Sequence, residues 1–245
     1  MSIIQAEYKK NDPLLLDKRE YEVCKEYFKI VIGLMKQMYP EEAFSLVDVA
    51  CASGGFIFHA SQALRFKQCV GVDISDALIA KARACIAGAE FIEGSIYDLS
   101  VLNGRTFDVC TCLGTLSIFD DIETPLHNLL SLVKPGGALI TYDLVNDDPV
   151  DTIIRYRLAD EAADGHVWRT ALNSVSRVTY EKVLAQLPGK IRFEWIDFEM
   201  PFAIPKTDNP MRAWTIATAQ GKHQLVVGTG QLLTFKILCV QKMTE

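Results

Sequence analysis

Residues 45–55 read Ser45-Leu46-Val47-Asp48-Val49-Ala50-Cys51-Ala52-Ser53-Gly54-Gly55. A short apolar run, broken by one acid, passes into a string of small residues. An apolar segment from about Phe56 to Arg65 follows. The pattern predicts a buried strand, a tight turn and a helix. Small side chains at 50, 52 and 54 let backbone approach a bound molecule. Gly54 and Gly55 permit dihedrals closed to other residues.

Downstream the same alternation repeats. Residues 69–73 (CVGVD) read as a second strand, and Ser75 as the N-cap of a helix ending near Ala87. Residues 90–94 (EFIEG) and 107–113 (FDVCTCL) give the third and fourth strands. A helix over about 121–133 tolerates Pro125 in its first turn. Lys134-Pro135-Gly136-Gly137 predicts a stop and turn before a fifth strand over 138–144. Near-continuous apolar strands alternating with helices imply a parallel sheet covered on both faces, with right-handed crossovers.

Upstream, Tyr21, Cys24, Phe28, Val31, Met35 and Met38 recur at steps of three and four, predicting a helix over 18–39 stopped by Pro40. Past Asp148, residues 149–187 read as a polar, largely helical insertion carrying Tyr156 and Trp168. Residues 192–200 alternate as a strand, a short strand lies near 214–217, and 231–241 form the last strand. The expected class is α/β: a Rossmann-like, seven-stranded, mostly parallel sheet with an antiparallel last strand, in a three-layer sandwich. One domain spans 1–245, with a binding half at 45–144, a partly helical insertion at 145–190 acting as a lid, and closing strands at 191–245.

Composition narrows the function. The 245 residues carry 25 Lys+Arg against 31 Asp+Glu, a net charge of −6 with no basic block. Nucleic-acid affinity rests largely on Lys and Arg, so no nucleic-acid partner is expected. No apolar run approaches the ~18 residues of a membrane span, and the N-terminus MSIIQAEYKKND lacks a signal peptide's apolar region. Seven cysteines, mostly inside apolar strings, fit reduced thiols in the cytoplasm. Cys110 and Cys112 have no second pair nearby, and no metal is expected.

The first turn lacks the G-x-G-x-x-G of nicotinamide and flavin proteins and any G-x-x-x-x-G-K-[ST]. It resembles motif I of class I S-adenosylmethionine-dependent methyltransferases, D/E-x-G-x-G-x-G, with Asp48, Ala50, Ala52 and Gly54 in those places. Two of three glycines are alanine here. VGVDIS around Asp73, FIEGSIYDL around Ser95, FDVCTCLG and LVKPGGALI follow in that family's order. The resemblance implies S-adenosyl-L-methionine as cofactor, with S-adenosyl-L-homocysteine as product. It implies Asp48 near the methionine ammonium, Asp73 on the ribose hydroxyls, Ile74 and Ile96 walling the adenine, and Leu113 and Gly114 at the methionine end. Ser95 stands where that family often has an acid near the adenine amine, and Asp98 is a partial substitute.

Methyl transfer from an activated donor asks the protein chiefly for alignment. A hydroxyl acceptor also needs a base, for which Asp143 and His166 are the candidates. No N-P-P-Y-type motif and no Pro-Cys dipeptide occur. The resemblance therefore points to a small-molecule acceptor, first an oxygen of a sugar or sugar nucleotide, second an amine or carboxylate of another metabolite. Arg155, Tyr156, Trp168, Asn173 and Arg212 are the acceptor candidates, by stacking and hydrogen bonding. The alanines in the turn also motivate a non-catalytic cofactor-binding protein. The oligomeric state is left open, with a homodimer as one candidate.

Overall fold

The computed structural model describes residues 16, 20–156, 168–198, 213–217, 223–227 and 234–244. Five parallel strands carry the binding half: β1 (Phe44–Val49), β2 (Phe66–Asp73), β3 (Glu90–Glu93), β4 (Phe107–Leu113) and β5 (Val133–Asn146). Three short strands follow, β6 (Arg155–Tyr156), β7 (Arg169–Thr170) and β8 (Val175–Ser176), then β9 (Ile191–Asp197), β10 (Ala213–Ala217), β11 (His223–Val227) and β12 (Phe235–Lys242). The main sheet runs β3-β2-β1-β4-β5-β12-β9, with β12 antiparallel to both neighbours. Strand order reverses between β1 and β4, which puts the ligand crevice of an open α/β sheet at their carboxyl ends.

Helices α1 (Glu26–Met38), α2 (Gly55–Ala63) and α3 (Asp76–Cys85) cover one face through Phe28, Val31, Met35, Phe56, Ile57 and Ile79. Helices α4 (Glu123–Ser131) and α5 (Arg177–Gln186) cover the other through Leu126, Leu129, Tyr180 and Leu184. The three-layer expectation holds. Ser75 caps α3 as the sequence predicts, its hydroxyl accepting from Leu78 N at 3.2 Å. All seven cysteines are free thiols, five of them buried and only Cys85 exposed.

Three elements differ from the sequence reading. Helix α1 begins at Glu26, not 18, because Tyr21 leaves the helical stripe and donates its hydroxyl to Ser53 O at 2.6 Å. Lys134–Gly137 does not precede β5 but bulges within it. The register passes from Phe107↔Val133 to Val109↔Ala138, with Gly136 at φ 82° and Gly137 pressed against Asp108 O. The described part of the insertion is helical only in α5. Its first half is a two-stranded ribbon, β6 antiparallel to β7, with Thr152 and Ser174 exchanging backbone hydrogen bonds at 2.8 and 3.0 Å. β-branched Thr152, Ile153 and Ile154 favour that extended form. The short strand near 214–217 is present as β10, and it pairs with β11, which the sequence reading did not contain.

Among the described residues no helix is long and apolar enough to cross a membrane.

Candidate functional site

A cavity opens at the carboxyl ends of β1 to β4. Ala50 and Asp73 form one end, Ile74, Gly94, Ser95, Ile96 and Tyr97 one side, and Thr115, Ile118 and Phe119 the other. Its walls are mostly apolar, with the Asp73 carboxylate at the β1–β2 end.

The turn after β1 is folded by left-handed residues in succession: Ala50 at φ 61°, Ala52 at 48° and Gly54 at 81°. Gly54 N donates to Cys51 O at 2.8 Å and Cys51 N to Val72 O at 3.0 Å. Two of these left-handed positions tolerate a methyl and one does not. A Cβ at 54 would stand 2.6 Å from Ile86 Cδ1 and 3.0 Å from Phe91. Space as well as dihedral therefore demands glycine at 54, whereas 50 and 52 carry only the strain of left-handed alanine, about 1 kcal/mol each. Gly54→Ala is expected to cost about 3 kcal/mol of stability, from strain plus overpacking. Ala50→Gly with Ala52→Gly is expected to gain about 1 kcal/mol, after the entropy of a freer unfolded chain is offset. Urea denaturation of the variants reads both signs.

Asp73 ends β2, 3 % exposed. One oxygen accepts from Ala52 N at 2.8 Å, the other from Ser75 N at 2.9 Å. The carboxylate thus ties the first turn to the start of α3 while forming part of the cavity wall. Asp48 lies deeper in β1. Its Oδ1 accepts from the Thr111 hydroxyl at 2.7 Å, and burial, reinforced by the charge of Asp73, pushes its pKa up to about 7. It does not line this cavity.

Ile74, Ser95 and Ile96 stand in the wall. Ser95 Oγ accepts from Tyr97 N at 3.2 Å. Asp98 is exposed, its carboxylate on Ser100 N at 3.0 Å, and hydrogen bonds from the Ser100 side chain and then its backbone lower its pKa. It is no substitute acid for the cavity. Gly114, at φ 82°, donates to Tyr142 O at 2.6 Å and with Leu113 leads directly into Thr115 of the wall. Tyr97, Ile118 and Phe119 were not anticipated. Tyr97 and Phe119 meet edge to face at 5.1 Å. The only sequence signal was a run of apolar residues after a glycine at a strand end.

The catalytic and acceptor candidates scatter. Asp143, expected at a strand exit facing an acceptor, is 2 % exposed, and burial raises its pKa. Its Oδ1 accepts from Ser117 N at 3.1 Å and Leu144 N at 2.8 Å. That placement holds the loop after β4 from beneath. Asn173, expected at the acceptor surface, is wholly buried and bonded to the same loop. Arg155 pairs with Asp120 at that loop's end. Tyr156 and Trp168 are exposed, so neither packs the insertion onto the sheet. His166 and Arg212 lie outside the described residues. Asp147 is taken by Lys236 and Arg177, and Asp151 by Ser176 and Thr179.

A family profile described as a methyltransferase domain matches residues 47–139. The chain is 32 % identical over 108 residues to a ubiquinone biosynthesis O-methyltransferase of Azotobacter vinelandii, covering 42 % of this chain and 45 % of that one. It is 26 % identical over 123 residues to a demethylmenaquinone methyltransferase of Bacteroides fragilis, covering 48 % and 49 %. The matched region thus spans less than half the length of these relatives. An amino pentose methyltransferase from Micromonospora echinaspora, solved with bound S-adenosylmethionine, superposes with a TM-score of 0.56 over 99 % of this chain and 98 % of that one, at 15 % identity. A magnesium protoporphyrin IX methyltransferase from Synechocystis superposes with a TM-score of 0.58 over 99 % and 98 %, at 13 % identity. Residues 47–139 are thus similar to a methyltransferase domain, and the fold of the chain, with its strand order and the carboxylate at the end of β2, is that of these solved methyltransferases.

Proposed function

We propose that the protein transfers a methyl group from S-adenosylmethionine to an oxygen of a small-molecule acceptor, first a sugar or sugar nucleotide. One observation carries the cofactor reading: the Asp73 carboxylate stands at the end of a cavity walled by Ile74, Ile96 and Phe119. A nucleoside offers a flat base for such walls and a pair of neighbouring hydroxyls for such an acid. A carboxylate has about four acceptor positions, enough to hold two backbone donors and still receive hydroxyls. Ala50 and Ala52 leave the turn open to close approach.

When bound, S-adenosylmethionine supplies a sulfonium-activated methyl, so the donor needs no further activation. This chain's residues bind and orient. Asp73 receives the ribose, Ile74 and Ile96 hold the base, and Asp48 offers a negative charge toward an ammonium. Leu113 and Gly114 meet the methionine end of the cofactor. The exposed rings of Tyr156 and Trp168 and the cation of Arg155 suit a sugar ring and its polar substituents. His166 remains the candidate base for a hydroxyl acceptor.

Calorimetric titration with S-adenosylmethionine, S-adenosylhomocysteine and NAD tests the cofactor. Micromolar binding of the first two without NAD is the expected result. Binding of NAD alone overturns it. A radiolabelled-methyl screen beginning with nucleotide sugars then tests the acceptor. Binding without turnover on any hydroxyl, amine or carboxylate acceptor favours the non-catalytic alternative.

A further inference from the structure

The buried side chain of Asn173 joins two parts of the molecule that the proposed reaction keeps separate. Its Nδ2 donates to Phe119 O at 2.9 Å and to Asp120 Oδ1 at 3.2 Å. Its Oδ1 accepts from Ile154 N at 3.0 Å. Its backbone N donates to Ser117 O at 2.7 Å. Phe119 is a wall of the nucleoside cavity, and Ile154 belongs to the ribbon of the insertion. Two acceptors on one side and one donor on the other suit an amide and fix its orientation. An aspartate would set a carboxylate against Phe119 O and Asp120, and an alanine would orphan a donor and two acceptors.

The ribbon gripped in this way carries little packing of its own. Ile153, Trp168 and Leu172 are 54 %, 55 % and 51 % exposed. Among the described residues, the ribbon's ties to the body include the Arg155–Asp120 pair, the bonds from Asn146 Nδ2 to Val150 O and Ser174 Oγ, and those of Asn173. The loop after β4 is held from the opposite side by Asp143 through Ser117 N. Any molecule that fixes Phe119 therefore also fixes the atoms to which the ribbon is anchored.

We infer that Asn173 is a positioning residue that couples the nucleoside cavity to the insertion, so that filling the cavity orders the ribbon before an acceptor arrives. The inference rests on the nucleoside reading of the cavity. Linkage makes the coupling reciprocal: an acceptor held by the ribbon tightens nucleoside binding by the same factor.

Hydrogen exchange followed by mass spectrometry, with and without saturating S-adenosylhomocysteine, tests it. In the wild type, peptides covering 115–119 and peptides covering 152–156 and 170–174 should both slow, the second group about fivefold or more. In Asn173→Asp the ligand should still slow 115–119 but no longer slow the ribbon. A merely structural role would speed ribbon exchange in the unliganded variant and leave the ligand-induced slowing intact, which overturns the proposal. Ligand binding to the wild type with no slowing of the ribbon also overturns it, whatever becomes of the variant's fold. Arg155→Ala, at the exposed rim of the same contact, should weaken the ribbon's slowing in part, and an unchanged response counts against the coupling. Failure of S-adenosylhomocysteine to bind the wild type overturns the nucleoside reading, and this inference with it.

Discussion

Asp73→Ala is expected to lower affinity for S-adenosylhomocysteine at least a hundredfold. Hydrogen bonds to a charged partner contribute about 1.5–3 kcal/mol each, and the ribose presents two hydroxyls. Two such bonds amount to some two to four decades of affinity. The variant should also lose stability. Ala52 N and Ser75 N both rest on this carboxylate, and orphaned buried donors cost about 1–3 kcal/mol each. Asp73→Asn separates the two effects. Its amide oxygen keeps one backbone bond, so the fold should suffer less while affinity still falls steeply. Calorimetry beside urea denaturation measures both. Unchanged affinity in either variant would discredit the ribose assignment.

Asp48→Asn should stabilise the protein at pH 8 and hardly at all at pH 4. The Asp48 pKa, raised by burial to about 7, compares with about 3.9 in an unfolded chain. Below pH ~4 the carboxyl is protonated in both states and folding meets no penalty. As pH rises toward 7 the unfolded chain releases this proton while the folded one retains it, so stability falls across that window. Three units correspond to about 4 kcal/mol, an order-of-magnitude figure. Asparagine keeps an oxygen for the Thr111 hydroxyl and carries no proton to lose. The stability difference between variant and wild type, measured by urea denaturation from pH 4 to 8, should therefore open with pH. A flat difference would mean that the carboxylate is solvated. On the proposed role of Asp48, the same substitution should weaken S-adenosylmethionine binding above pH 7, where the carboxylate is ionised. Stability and affinity then move in opposite directions at one residue.

The parallel half of the fold was legible because its strands are buried on both faces and therefore nearly continuous in apolar residues. Phe107–Leu113 matches the sequence reading residue for residue. Helix α1 misled because Tyr21 and Cys24 continue its periodicity, while the bond from Tyr21 to Ser53 is a contact across 32 residues that no local pattern announces. Of the cavity wall, Asp73, Ile74 and Ile96 could be read through the resemblance, since they stand at or just after strand ends. Phe119 and Tyr97 could not, because an aromatic residue in a loop carries no mark of what it faces. Asn173 was singled out for its chemistry and misplaced in its environment: an amide suits a sugar hydroxyl and a backbone carbonyl equally, and only burial tells which one it meets.

The distribution of thiols gives the molecule an internal clock. Cys85 is exposed and Cys24 half-buried, while Cys51 lies in the cavity's turn and Cys69, Cys110, Cys112 and Cys239 are sealed in the sheet. Burial holds the thiolate of Cys51 out of reach, and only the thiolate reacts. A disulfide reagent should thus label the native chain first at Cys85 and Cys24, and at Cys51 only when the turn breathes. The rate of that slower modification would time the opening of the cavity floor, without any dye or engineered handle.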